Sequence, residues 1–128
     1  MQKGTMITVI VDGVTQLNSL FETVAKKIKE DKVITEKESA YITGVFNEKM
    51  KEGNQFIEKI KELISPKLTM SEADKLQLLT QMFTVMKENI TALKRFEKGF
   101  IKLCEERKAK LTDTQEIARL FNKQKQQA

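Results

Sequence analysis

The sequence contains no histidine and no tryptophan, and it has one proline and one cysteine among its 128 residues. Histidine is the usual general base near neutral pH and the commonest zinc ligand, so its absence excludes most familiar catalytic and zinc-binding arrangements. The single cysteine, Cys104, cannot form an internal disulfide, so nothing in the sequence points to an oxidising compartment. The scarcity of proline leaves long stretches of chain without a helix breaker.

Motifs that would identify a function are also missing. The sequence has neither a glycine-rich phosphate-binding loop nor the ligand spacing of a calcium loop. Its longest apolar run, residues 6–11, is too short for a signal-peptide core and too short to cross a bilayer. We therefore expect a cytoplasmic protein that is not an enzyme, has no cofactor or metal site and does not act at a membrane.

The overall composition favours helices. Hydrophobic residues make up 40% of the chain and charged residues 32%, a balance typical of a helical bundle. A chain of this length can bury a core without metals or disulfides. The expected fold class is all-α, in a single domain over residues 1–128, with residues 122–128 as a frayed tail.

Apolar residues at spacings of three and four predict two helices in the first half of the chain. The first covers residues 5–30; a strand over residues 6–11 is the alternative, because that segment is rich in β-branched residues and precedes an Asp-Gly pair. The second covers residues 35–64, begins with a capping box between Thr35 and Glu38, and ends before Pro66. Gly44 and Gly53 inside it are candidate points of close helix approach. Its inward positions are Ile42, Phe46, Met50, Ile57, Ile60 and Ile64.

The longest apolar stripe lies within residues 69–111, where Thr69 and Glu72 form a second capping pair. A continuous helix there would be about 64 Å long, whereas a compact globule of this size is about 36 Å across. The helix therefore either splits near residues 89–91 or projects from the fold, and the lack of proline and glycine there favours one continuous helix. The stripe consists of Leu76, Leu79, Phe83, Met86, Ile90, Leu93, Phe96, Phe100 and Leu103.

A third capping pair, Thr112 and Gln115, predicts a short C-terminal helix that folds back on the long one. The expected architecture is thus an elongated antiparallel, coiled-coil-like bundle of three long helices plus this short one. Residues 112–122 also resemble the first helix and turn of a bacterial helix-turn-helix motif, with Ala118 at the small packing position and Asn122 at the turn. Only six residues follow, too few for a recognition helix, so no DNA-binding residue is assigned.

The positive charge is concentrated near the C-terminus. Residues 94–128 contain 10 Lys and Arg against 5 Asp and Glu, whereas residues 1–93 contain 13 of each. On a helical projection four basic residues share the face opposite the apolar stripe. This basic face, a candidate polyanion-binding site, consists of Lys94, Arg95, Lys98 and Lys102.

Other chemistry-bearing residues have simpler interpretations. The carboxylate pairs Glu48 with Glu52 and Glu58 with Glu62 lie among lysines, as on a solvated helix surface. Cys104 lies at the margin of the apolar stripe, where a free cysteine behaves as a small buried hydrophobe.

Two hypotheses of function follow. The first is a non-enzymatic interaction or assembly module that forms a homo-oligomer, or binds another protein, through an association surface at Phe96, Phe100 and Leu103. The alternative is an accessory nucleic-acid-binding protein that uses the basic face within residues 94–110. The two differ in whether association depends on the apolar stripe or on the lysines.

Overall fold

The computed structural model describes residues 2–127 of the chain, with side chains for residues 2–124. Over that range the chain forms three helices and no strand: α1 (Lys3–Asp31), α2 (Glu36–Leu63) and α3 (Glu72–Gln127). Consecutive helices run antiparallel, so α1 and α3 run in the same direction, as the contacts of Lys3 with Glu72 and of Lys27 with Glu105 show. The expected all-α helical bundle is confirmed.

The N-terminal segment is helical throughout. Residues 6–11, for which a strand was the alternative, lie inside α1 and bury Met6 and Ile10. A lone strand would leave its backbone groups unpaired, whereas the helix satisfies them within the segment and presents one apolar stripe to the core. Lys32 closes the helix in the left-handed conformation, with φ 53°.

The predicted capping box at the start of α2 is confirmed. The backbone N–H of Glu38 donates to Thr35 Oγ1 at 3.1 Å, and the N–H of Thr35 donates to Glu38 Oε1 at 3.0 Å. At the other end the prediction for Ile64 is wrong: this residue follows the helix as its C-cap and is 66% exposed, while Leu63 is buried. The backbone of Ile64 stays close to helical and its N–H still donates to the carbonyl of Ile60, but the core at this end of the bundle packs on Leu63 instead.

The predicted cap of α3 is wrong by two residues. The helix begins at Glu72, and Ser71 caps it, because its Oγ accepts the backbone N–H of Asp74 at 3.1 Å. Thr69 lies outside the helix. Leu68 and Met70, on either side of it, pack against the core, so the connection between α2 and α3 is held against the bundle.

The short C-terminal helix is also a wrong prediction. α3 passes through residues 89–91 and 112–122 without a break, so the long helix is continuous and the helix-turn-helix-like turn at Asn122 is absent from the described chain. Thr112 Oγ1 donates to the carbonyl of Lys108 at 3.0 Å instead of capping a new helix with Gln115. Residues 122–127 continue the helix, and Ala128 lies outside the described residues.

Close approaches between helices occur at two glycines. A Cβ on Gly13 would lie 2.5 Å from Met86 Cγ, so α1 and α3 meet where a side chain is missing. A Cβ on Gly53 would lie 2.9 Å from Val14 Cγ2, which confirms the expected approach of α2 there. At Gly44, the other candidate, an added Cβ would meet no described atom within 4 Å.

Gly13→Ala should lower the free energy of unfolding by about 1–3 kcal/mol, because the new methyl group overpacks the buried Met86 side chain. Gly44→Ala is the matched control, and its open surroundings should let it raise the free energy of unfolding by about 0.5–1 kcal/mol. Urea denaturation followed by circular dichroism measures both changes. Equal effects from the two substitutions would contradict the close approach at Gly13.

Candidate functional site

An open apolar groove separates the N-terminal part of α2 from α3. It has a volume of about 560 Å³. Phe100 is buried at its base, whereas Tyr41 is 70% exposed and Leu103 is also exposed. We call this feature the α2–α3 groove; it is lined by Lys37, Glu38, Tyr41, Ile42, Phe96, Gly99, Phe100 and Leu103.

The base of the groove is fixed to the core by aromatic contacts. The rings of Phe21 and Phe46 stack with centroids 5.5 Å apart, and Phe46 meets Phe96 edge-on at 5.9 Å. Phe96 in turn stacks on Phe100 at 6.1 Å. Aromatic pairs at these distances favour particular ring orientations. Because Phe96 and Phe100 line the groove, these ring contacts give its base a defined shape.

Beyond the groove, α3 continues past the ends of its two neighbours. Lys108 contacts Asp31 at the end of α1, and every residue from 109 to 124 is exposed. We call residues 109–127 the overhang; at 1.5 Å per residue it extends about 28 Å. Its exposed large apolar side chains are Leu111, Ile117, Leu120 and Phe121.

Arg107 anchors α3 just before the overhang begins. Its guanidinium donates to both carboxylate oxygens of Glu38, at 2.8 and 2.9 Å, and to the carbonyl of Val33 at 3.0 Å. Bidentate contacts of this kind are strong and directional. The hydrogen bonds from Arg107, with that from Thr35, hold the pKa of the Glu38 carboxyl at about 2, against an ordinary value of 4.5. The same carboxylate thus caps α2 and fixes α3.

A second group of charges binds the end of α1 to α3. Lys27 Nζ lies 3.0 Å from Asp31 Oδ2 and 3.1 Å from Glu105 Oε1, and Lys108 Nζ lies 3.4 Å from Asp31 Oδ1. The hydrogen bond between Lys27 and Asp31 lowers the pKa of the Asp31 carboxyl and raises the pKa of the Lys27 ammonium group. Together with Arg107, these contacts attach α3 to the ends of α1 and α2 just before the overhang begins.

The structure brings the sequence-predicted association residues to the groove but distributes them differently. Phe100 is buried in the bundle core, Phe96 is half-buried, and Leu103 is exposed at the groove. Tyr41 and Gly99, which no sequence pattern singles out, share this groove although they belong to different helices. Their exposure gives no periodic signal, so only the packing of α2 on α3 reveals them.

The four residues of the basic face are exposed. Among the side chains of residues 2–124, none of the four takes part in an ion pair. Glu105, which shares their sector of α3, is engaged by Lys27. The basic face is therefore open to solvent.

The remaining candidates are structural. Cys104 is fully buried, and burial raises the pKa of its thiol, as expected for a core position rather than a nucleophile. Glu52 accepts a hydrogen bond from the buried Asn89 at 2.6 Å, and Glu58 and Glu62 pair with neighbouring lysines. Within the described residues no group of three or more potential metal ligands comes together, and no helix there has the length and apolar character to cross a membrane.

Comparison with protein-family models, with curated proteins and with solved structures finds no match to this chain.

Glu38→Gln should lower the Tm at neutral pH, because it removes the charge that Arg107 binds. Since the folded pKa of about 2 lies below the ordinary 4.5, Glu38 stabilises the fold fully above that ordinary value and loses this contribution as pH falls toward 2. The Tm difference between wild type and variant, measured by scanning fluorimetry, should shrink over that range. In an Arg107→Gln background the difference should be smaller at neutral pH. A Tm difference between wild type and Glu38→Gln that stays constant across pH would contradict this role of Glu38.

Proposed function

We propose that this protein is a non-enzymatic assembly module that self-associates through α3. The observation that carries the proposal is the exposed apolar surface of the overhang, where Ile117 is 68% and Phe121 57% exposed. Contiguous exposed apolar side chains in a soluble chain mark interaction surfaces. A cytoplasmic location, expected from the sequence, is part of the proposal.

The energetics of the overhang support association. Most helical stability in proteins comes from tertiary packing of an apolar face rather than from helix propensity. The overhang is a single helix, and its described residues from 109 to 124 are all exposed. A second chain covering its apolar face would supply the packing that α1 and α2 provide elsewhere.

Sedimentation velocity over a concentration series should show wild-type protein passing from monomer to a larger species as concentration rises. The double variant Ile117→Gln with Phe121→Gln should stay monomeric at the same concentrations, because it removes apolar area from the overhang alone. At a concentration where wild type is monomeric, its thermal transition should match that of wild type, which excludes unfolding as the cause. Wild-type protein that remains monomeric into the high micromolar range would contradict the proposal.

The second candidate function is nucleic-acid binding through the basic face, favoured by its exposed and unpaired cations. Labelled duplex and single-stranded DNA, followed by fluorescence anisotropy, test it. If the candidate is right, affinity falls steeply between about 50 and 200 mM salt, because each neutralised phosphate releases counterions. Lys98→Glu with Lys102→Glu should then weaken binding and flatten the salt dependence while leaving the fold intact. Absence of binding at the lowest salt would contradict this candidate.

A further inference from the structure

We infer that the α2–α3 groove binds an amphipathic helix of another protein, one whose flanks carry carboxylates. The inference does not rest on self-association, because the groove lies on the bundle and the overhang lies beyond it. An amphipathic helix that lays its apolar face into an apolar groove is a recurring mode of protein recognition. The length of the groove, the charges on its rim and the glycine in its wall favour this occupant.

The α3 wall of the groove presents apolar side chains at helical spacing. Phe96, Phe100 and Leu103 follow one another at intervals of four and three residues, so they occupy two turns, or about 10 Å of helix. Tyr41 and Ile42 provide further surface from α2. A partner helix with apolar residues at i, i+3 or i+4, and i+7 covers the same length. The groove therefore matches two turns of an amphipathic helix.

Basic side chains follow the outer edge of the groove on α3. Arg95 lies four residues before Gly99, and Lys102 lies three residues after it. Both are therefore about 40–60° around the helix from Gly99, on the side away from Phe96 and Leu103. Both are exposed, and neither takes part in an ion pair with a described side chain. The two cations lie seven residues apart, which is about 10 Å along this edge.

The α2 wall adds a third cation. Lys37 lines the groove, is exposed, and has no ion-pair partner among the described side chains. Glu38, a carboxylate in the lining, is bound by Arg107 at 2.8 and 2.9 Å. The exposed carboxylates of Glu48 and Glu106 lie outside the lining. The rim of the groove is therefore basic and complements a helix with acidic flanks.

The distribution of these cations favours a helix over a small amphiphile. A fatty acid has a single carboxylate, whereas Arg95 and Lys102 lie near opposite ends of the groove and Lys37 lies on the other wall. Carboxylates that repeat along a helix surface can meet all three cations. Pockets for small molecules also bury most of their ligand. This groove is open instead, with Tyr41 in its wall 70% exposed.

The overhang of a second copy does not have the required charge. Its cations outnumber its anions between residues 109 and 124; they are Lys110, Arg119 and Lys123 against Asp113 and Glu116. Charge complementarity at an interface suppresses partners of the wrong sign. It therefore favours a different, acidic protein as the occupant of the groove.

Gly99 leaves room for the incoming helix. It lies in the groove, and an added Cβ there would meet no described atom within 4 Å. A glycine inside a helix costs roughly 0.5–1 kcal/mol relative to alanine, and the packing within one chain does not require it at this position. A partner backbone approaching the groove makes use of the missing side chain.

The size of the groove predicts a transient complex. Two turns of helix bury less surface than the roughly 1,200–2,000 Å² of a standard stable interface. A partner segment that becomes helical only on binding also loses conformational entropy at that moment, which lowers its affinity further. We therefore expect a dissociation constant on the order of micromolar.

The test uses a labelled peptide of about 18 residues, or five helical turns, with leucine at every third or fourth position and glutamate on both flanks. Fluorescence anisotropy measures its binding to the full chain. One control peptide replaces each glutamate by lysine, and a second replaces each leucine by glutamine. We expect the acidic amphipathic peptide to bind wild-type protein at least tenfold more tightly than either control.

Variants of the full chain locate the binding site. Gly99→Gln fills the groove, and Gly4→Gln makes the same change in open space at the far end of the bundle. Lys102→Glu reverses a charge on the rim, whereas Lys51→Glu does so at an exposed position about 15 Å along α2 from Tyr41. We expect Gly99→Gln to raise the peptide dissociation constant tenfold or more and Lys102→Glu fivefold or more. Each control should leave it within twofold.

The same assay separates this inference from the proposed function. The double variant Ile117→Gln with Phe121→Gln changes the overhang alone, so it should bind the acidic peptide like wild type. Loss of peptide binding in this variant, with the fold intact, would move the site from the groove to the overhang and overturn the inference. Self-association could then still hold.

Three other outcomes also overturn the inference. If the leucine-free peptide binds as tightly as the acidic amphipathic one, charge alone drives binding, as for a polyanion on the basic face. If Gly99→Gln binds the peptide like wild type, the site lies outside the groove. If the peptide does not bind into the high micromolar range while decanoate binds wild type and not Gly99→Gln, the occupant is a small amphiphile.

Discussion

Helix α3 extends further than the two helices that cover its apolar stripe, and the rest of the structure depends on this mismatch in length. α1 and α2 have 29 and 28 residues, whereas α3 has 56. Over the first part of α3 the stripe is buried by two neighbours and held by the close approach at Gly13. Past Lys108, polar residues such as Lys110 and Thr114 occupy the face that the stripe followed, and every residue from 109 to 124 is exposed. The core of the bundle is therefore buried within one chain, whereas the large apolar side chains of the overhang are exposed.

Charged residues at the end of the bundle determine where α3 passes from its covered part into the overhang. Glu38 takes part in the capping box of α2, and its two carboxylate oxygens each accept a hydrogen bond from Arg107. One carboxylate therefore stabilises the start of α2 and attaches α3 just before the overhang. Asp31, Lys27 and Lys108 provide a similar connection to the end of α1. These contacts fix α3 to the ends of α1 and α2, and the groove lies beside the start of the overhang.

Periodicity predicted the elements well, because a three-four spacing reflects which face of a helix is buried whatever covers it. It therefore identified all three long helices and the continuous path through Ile90. Capping pairs in the sequence were a less reliable guide to where the helices begin. Thr35 and Glu38 form the expected box, but Ser71 replaces Thr69 as the cap of α3, and Thr112 bonds back to Lys108 within a continuing helix. Contacts between distant residues, such as Arg107 with Glu38, leave no local pattern, so the groove formed by Tyr41 and Gly99 could not be predicted.

Hydrogen exchange of the backbone amides in the overhang, measured at several protein concentrations, tests whether a second copy covers the overhang. Amides of the buried part of α3 serve as an internal reference, because their protection depends on unfolding of the bundle itself. We expect protection of residues 109–124 to be low in dilute solution and to rise with concentration as a second copy covers them. Exchange in the overhang that is fast and unchanged at every concentration would contradict it.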